Sequence, residues 1–264
     1  MHLPFGARAS RQEQTRILRG ALQAVRPDRR AAAFDLDSTL LVNKIRQARI
    51  VREWGARNDP RLATCKPESV VSWDLRETTT LCGLSPEESE EIYPALKEFW
   101  RERFFTSEYC RDDTPVSGAR DYLRAVLRQR GEILYITGRH EEMGPGTLAS
   151  FARAGFPMPD GRDVQLWLKP KLADDDDAWK EICHRRLAEM RQLACAFDNE
   201  PTHVNAYKRS FPDAFVVHLD TDHSRRPVPV LDSIPSVHDF VMEEPDLPAT
   251  DGARTRGALE DPPA

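Results

Sequence analysis

Two carboxylates one residue apart, Asp35 and Asp37, close the run AAAFDL and open the run DSTL within residues 31–40. Side chains so close in sequence concentrate negative charge. Hard oxygen donors of this kind are neutralised best by a divalent cation such as Mg2+. An Asp pair after a strand also caps turns and helices, so taken alone it leaves both readings open. Further along, polar residues again follow directly on apolar runs. Thr137-Gly138-Arg139 follows EILYI (132–136), and Asp198-Asn199-Glu200 follows residues 193–197. Polar side chains at the carboxyl ends of apolar strands are where open α/β sheets hold their ligands.

The elements that must carry these residues follow from the pattern of apolar positions. Short apolar runs at 31–34, 132–136, 164–168, 193–197 and 214–219 read as buried parallel strands. Helical stretches separate them, which predicts a doubly wound, Rossmann-like α/β fold with a mainly parallel sheet. Residues 10–25 place Ile17, Leu18, Ala21, Leu22 and Val25 on one helical face, with Ser10 and Glu13 spaced as a capping box. Residues 117–130 predict another helix, closed by Gly131 at the position after its C-cap. About 75 residues separate the first strand from the next α/β signal. That interval is mostly helical: 43–57 carries a stripe of Ile45, Arg49, Ile50 and Trp54, and 67–75 reads as a loop holding VVSWDL. Ser85-Pro86-Glu87-Glu88 is a helix start, with Ile92, Leu96, Phe99, Trp100 and Phe104 as its apolar stripe. Arg46, Arg49 and Arg52 recur on roughly one face, read as a solvated one.

Together these segments resemble the haloacid dehalogenase-like (HAD) hydrolase superfamily. The D-x-D-x-T of residues 35–39 is similar to its first motif, Thr137 after a strand to its second, Lys180 near a helix start to its third, and Asp198 to its fourth. The resemblance covers about residues 31–220. It implies a Mg2+-dependent phosphatase acting on phosphate monoesters. Asp35 would be the nucleophile that forms an aspartyl-phosphate, and Asp37 the general acid and then base. Thr137 would hydrogen-bond a phosphoryl oxygen, with Gly138 and Arg139 in the substrate site, and Lys180 would hold nucleophile and phosphoryl group. Asp35, Asp37 and Asp198 would hold the metal. Lys169 and Lys171 rival Lys180 for the third motif, and at the fourth Asn199 or Glu200 stands where a second Asp is usual. The TGR form with the following MGPGT is similar to the acid-phosphatase and polynucleotide-phosphatase branch, and departs from the S-G-G or S-N-G of phosphoserine phosphatases. A dehalogenase has no need of the acid at Asp37. The resemblance further implies a core of 1–42 and 115–242 and a helical C1-type cap at 43–114; over 243–264, Pro, Asp, Gly and Ala with few large apolar residues predict a disordered tail.

Composition narrows the function classes. The 264 residues suffice for a full core, and the net charge of −5 opposes a whole-surface nucleic-acid binder, leaving room for a local basic cleft. A small phosphorylated substrate is the first expectation, a 3′-phosphate on a nucleic-acid end the second, and a non-catalytic binding protein on the same frame the third. Five cysteines with no C-x-x-C pair predict reduced thiols, and with no apolar leader the expected location is the cytoplasm. No apolar run approaches a membrane span, and oligomeric state is not legible. Asp174 to Asp177 read as a solvated helix start. His203, His218 and His223 lack metal-ligand spacing and read as packed or solvated.

Overall fold

The computed structural model describes residues 9–190 and 192–243. The expected tail therefore lies outside the described residues, apart from Glu243. In chain order the elements are α1 (Arg11–Ala24), β1 (Ala31–Phe34), β2 (Leu41–Val42), α2 (Lys44–Asn58), α3 (Leu75–Leu81), α4 (Pro86–Phe104) and α5 (Ser107–Cys110). They continue with β3 (Thr114–Pro115), α6 (Ala119–Arg128), β4 (Glu132–His140), α7 (Gly144–Ala154), β5 (Val164–Lys169) and α8 (Asp176–Met190). The last are β6 (Leu193–Asp198), α9 (Pro201–Ser210), β7 (Phe215–Leu219) and β8 (Ser236–Val237).

The main sheet runs β5-β4-β1-β6-β7-β8, with every neighbouring pair parallel. This is the expected doubly wound sheet. Alternation along β1 shows why both faces are covered: Ala32 and Phe34 enter one apolar cluster with Leu18, Tyr122 and Phe151, and Ala31 and Ala33 enter another with Leu187, Val204 and Tyr207. Small residues in β1 let helices approach closely, and Phe34 stacks on Phe197 of the next strand at 4.9 Å. Helices α2 to α5 lie between β2 and β3, which pair antiparallel. They share a third apolar cluster of their own, including Trp54, Leu75, Leu96, Trp100 and Phe104.

Several local expectations are corrected. The strand expected at 132–136 runs on to His140, so Thr137, Gly138 and Arg139 lie within β4, at an irregularity in its pairing with β5. A sixth strand, β8, went unread because two residues carry no periodicity. Two residues past the end of α6, Arg130 takes the left-handed conformation (φ 59°), and Gly131 serves instead for close approach, since a Cβ there would stand 2.9 Å from the Val126 carbonyl oxygen. At α1, Ser10 accepts from the Glu13 N–H, but the Glu13 carboxylate turns to Arg16 and leaves the box half made. Ser85 and Glu88 complete theirs. The loop at 67–75 contains a short turn of 3-10 helix and yields to α3 at Leu75, capped by Asp74. In α2, Ile45 faces outward at 37% exposure while Arg46 is fully buried, so the inward stripe is rotated from the expected one.

One buried group gives a pH signature. His184 of α8 packs its ring 4.2 Å from that of Tyr207, and its Nε2 has no hydrogen-bond partner among the described residues. Burial, and then the charge of Lys180, lowers its pKa from 6.5 to about 4. The unfolded chain therefore binds the proton first, so this contribution is present above pH 6.5 and is lost as pH falls towards 4. It is worth up to about 3 kcal/mol. In His184→Phe, thermal melts at pH 7 and pH 4.5 are expected to differ by less than in the wild type. An unchanged difference would refute the assignment.

Candidate active site

Strand register builds the site. β1 pairs with β4 as Phe34 with Tyr135, and with β6 as Phe34 with Phe197, so one step beyond Phe34 the chain brings Asp35 level with Ile136 and Asp198. The Asp35 N–H donates to the Phe197 carbonyl at 2.9 Å, which locks that level. Lys180, in the second turn of α8, reaches across from the helix that packs on β4 and β6. Its ammonium donates to Asp35 Oδ1 at 2.8 Å, to Asp198 Oδ2 at 2.9 Å and to the Ile136 carbonyl at 2.9 Å. All three of its protons are thereby placed, in a residue only 3% exposed.

Of the rival lysines, Lys169 is spent elsewhere. It donates to the Leu172 and Asp174 carbonyls and to Asp176 Oδ1, fastening the acidic start of α8. Lys171 is exposed. The solvated reading of Asp174 to Asp177 fits their exposure, but Asp177 also holds His203 at 3.0 Å and Arg226 at 2.5 Å.

The electrostatics divide the carboxylates. Burial pushes Asp35 upward, Lys180 offsets only part of that, and Asp198 and Asp37 add repulsion, so its pKa is pushed up to about 7. For Asp198 burial acts the same way, but Lys180 and then His203 outweigh it and hold the carboxyl well below the usual range. His203 approaches Asp198 Oδ2 to 3.4 Å. Two buried carboxylates thus share one lysine, and Asp35 is short of positive charge. The donor set is all hard oxygen, so the residues present fit a hard divalent cation.

Asp37 is placed differently from expectation. Its side chain turns to Arg46 and Arg139 rather than joining Asp35 and Asp198, and among the described residues no group of three His, Cys, Asp or Glu side chains gathers as a metal cage. Burial raises its pKa, but Arg139 and then Arg46 overcome this and leave it an anion. Arg139, expected to face substrate, is buried with its guanidinium on Asp37, Asp113 and Thr147. The solvated face expected for Arg46, Arg49 and Arg52 is corrected for Arg46, which pairs with Asp37 and Asp113.

Thr137 is buried and accepts the Arg139 N–H at 3.2 Å, leaving its hydroxyl proton to be donated. Trp179 Nε1 holds the Thr137 carbonyl at 2.9 Å. Gly138 lies beside Asp176, whose Oδ1 a Cβ would meet at 2.9 Å. Asn199 ties Thr39 Oγ1 to the Asp222 carbonyl, and Glu200 takes the backbone N–H and the hydroxyl of Ser224. Both residues fasten loops around the site. His203 was missed as a site residue. Its signal was position: it stands in the first turn of the helix after β6, which aims at that strand's end.

No family model matches the sequence, and no curated protein matches it. Solved structures do. CbbY from Rhodobacter sphaeroides in complex with phosphate is 16% identical over 80% of this chain and 94% of its own, at a TM-score of 0.45. The class C acid phosphatase from Bacillus anthracis with tungstate bound is 15% identical over 79% and 75%, at 0.43. A haloacid dehalogenase-like family hydrolase from Streptococcus pneumoniae is 11% identical over 73% and 85%, at 0.41. Likenesses this distant bear no weight for the chemistry, which rests on this chain's own residues.

Proposed function

We propose that this chain is a HAD-like, Mg2+-dependent phosphohydrolase that cleaves a phosphate monoester through an aspartyl-phosphate on Asp35. The observation that carries the reading is the buried bridge of Lys180 between Asp35 and Asp198 at 2.8 and 2.9 Å. Asp35 attacks phosphorus through Oδ2, the oxygen that Lys180 leaves free. As the new O–P bond forms, the bond from phosphorus to the ester oxygen breaks, and Asp37, a carboxylate in the free protein that takes up the proton of the monoanionic ester as it binds, passes that proton to the departing oxygen. Lys180 and the Thr137 hydroxyl stabilise charge on the phosphoryl oxygens. Asp37, now a carboxylate, takes a proton from water, which attacks the acyl phosphate, restores Asp35 and frees inorganic phosphate. Asp35 and Asp198 would hold Mg2+, which when bound supplies the positive charge the two carboxylates lack.

Residues 43–114 serve as the cap over this site in the reading, supported by their separate apolar cluster. A small phosphorylated molecule is the substrate class, since Arg139, the residue sought for gripping a nucleic-acid end, is buried on Asp37. The five cysteines, all free, support a reducing, cytoplasmic setting. Among the described residues no helix is long and apolar enough to cross a membrane.

The test is a panel of phosphate monoesters assayed with Mg2+, with chelator, and with Mg2+ restored. Phosphate release is expected only in the first and third conditions. Release that persists under chelation would end the metal-dependent reading, and silence across the whole panel with metal would favour a non-catalytic binding protein.

A further inference from the structure

Behind Asp37 lies a buried cluster of two cations and two anions. Asp37 Oδ1 accepts from Arg46 Nη2 at 2.7 Å and from Arg139 Nη2 at 2.8 Å, with Asn43 Nδ2 at 3.4 Å. Its Oδ2 accepts from Arg139 Nε at 2.8 Å and has no other partner in the cluster. Asp113 backs both guanidiniums: Oδ2 accepts from Arg139 Nη2 at 2.5 Å, and Oδ1 stands 3.1 Å from Arg46 Nε. Arg46 and Asp113 are both fully buried. The remaining faces of the arginines are also taken, Arg46 by the Phe104 carbonyl and ring, Arg139 by Thr147 Oγ1. Both guanidiniums are buried and turn to Asp37 and to groups of the fold, so the pair acts on Asp37.

The cluster's location adds a second point. Arg46 is in the first turn of α2, where the chain leaves the core for the helical insert, and Asp113 stands just before β3, where it returns. Arg139 belongs to core strand β4. Both connections to the insert are therefore tied to one carboxylate of the site. A carboxylate oxygen has two lone-pair directions. Oδ1 is filled by its donors, whereas Oδ2 retains an open direction.

We propose that Asp113 is a positioning residue, which through Arg46 and Arg139 aims Oδ2 of Asp37 at the leaving-group oxygen, so that the seat of the insert on the core sets the aim of the acid. This rests on the phosphohydrolase reading. Asp113→Asn keeps shape and removes the charge that braces both arginines. The readout is kcat/KM with Mg2+, which covers the steps up to departure of the leaving group, on two esters. Glycerol phosphate leaves as a basic alkoxide and needs the proton; nitrophenyl phosphate leaves as a weakly basic phenolate and scarcely does. The expected loss is about 100-fold on glycerol phosphate and no more than about threefold on nitrophenyl phosphate. A role in folding alone would lower both alike.

Removing one member of a buried ionic cluster can unfold a protein, so Arg46→Lys is measured beside it. One ammonium keeps the charge but cannot span Asp37, Asp113 and the Phe104 carbonyl together, and the same split between esters is expected. Equal losses on both esters, or none, in whichever variant melts cooperatively would overturn the proposal. So would failure of both variants to fold, which would make the cluster a folding element. A wild type inactive on both esters with metal would instead overturn the phosphohydrolase reading beneath it.

Discussion

Replacing Asp35 with asparagine is expected to lower phosphate release on the order of 10⁴-fold while leaving the protein folded. The amide is nearly the same shape, but its oxygen is a poor nucleophile and cannot carry the phosphoryl group. Stability should move the other way. In the metal-free protein burial raises the Asp35 pKa from 3.8 to about 7. The folded chain then holds its proton more tightly than the unfolded one, so ionisation of this group erodes stability as pH climbs from about 4 towards 7. Asp35→Asn removes that penalty, and its metal-free melting temperature at pH 8 is expected to exceed that of the wild type. Phosphate release and thermal melts on the same preparations read both effects. Turnover surviving within tenfold of the wild type would show that another group takes the phosphoryl transfer.

Lys180→Met is expected to damage both turnover and stability. The ammonium touches Asp35, Asp198 and the Ile136 carbonyl, and nothing else described here reaches Asp35 Oδ1. Its loss leaves two buried carboxylates repelling one another, a change that typically costs about 3–5 kcal/mol. Turnover should fall about 100-fold or more through lost charge stabilisation. Added Mg2+ should recover part of the melting temperature, because it supplies positive charge at the same oxygens. Lys169→Met is the control. It loses the tie to Asp176 and is expected to destabilise the start of α8, with turnover kept within about tenfold. If Lys169→Met proved the more damaging to turnover, the roles of the two lysines would have to be exchanged.

What could be read from the sequence, and what could not, follows the range of each interaction. Apolar runs ending in polar residues marked β1, β4 and β6, because burial on both sheet faces writes itself into consecutive positions. Lys180 stood out by its place near a helix start, and the register of β1 then explains why it meets Asp35 and Asp198 together. Arg46 gave no such sign. In a helix with arginines at every third position, sequence spacing shows a shared face but not which member is fully buried on acids of the site. Those acids are Asp37, nine residues away, and Asp113, which belongs to no motif. The same holds for Arg139. Its place after Thr137 suggested a hand for substrate, whereas the partner that claims it is a carboxylate about a hundred residues earlier in the chain. Pairings of this kind are made by the fold and leave no local pattern.

The strand order also dictates how the molecule can be assembled. The central strand β1 is synthesised early, yet its two neighbours begin only at Glu132 and Leu193. Helices α2 to α5, by contrast, find their apolar partners within residues 48–109. On a ribosome these helices have emerged while β1 still waits with both edges bare, and the last strand to arrive beside it brings Asp198. Long-range pairing of this sort is slow and leaves strand edges open to other chains. Yield in the cell should therefore depend more on what protects residues 31–34 during elongation than on the stability of the finished sheet.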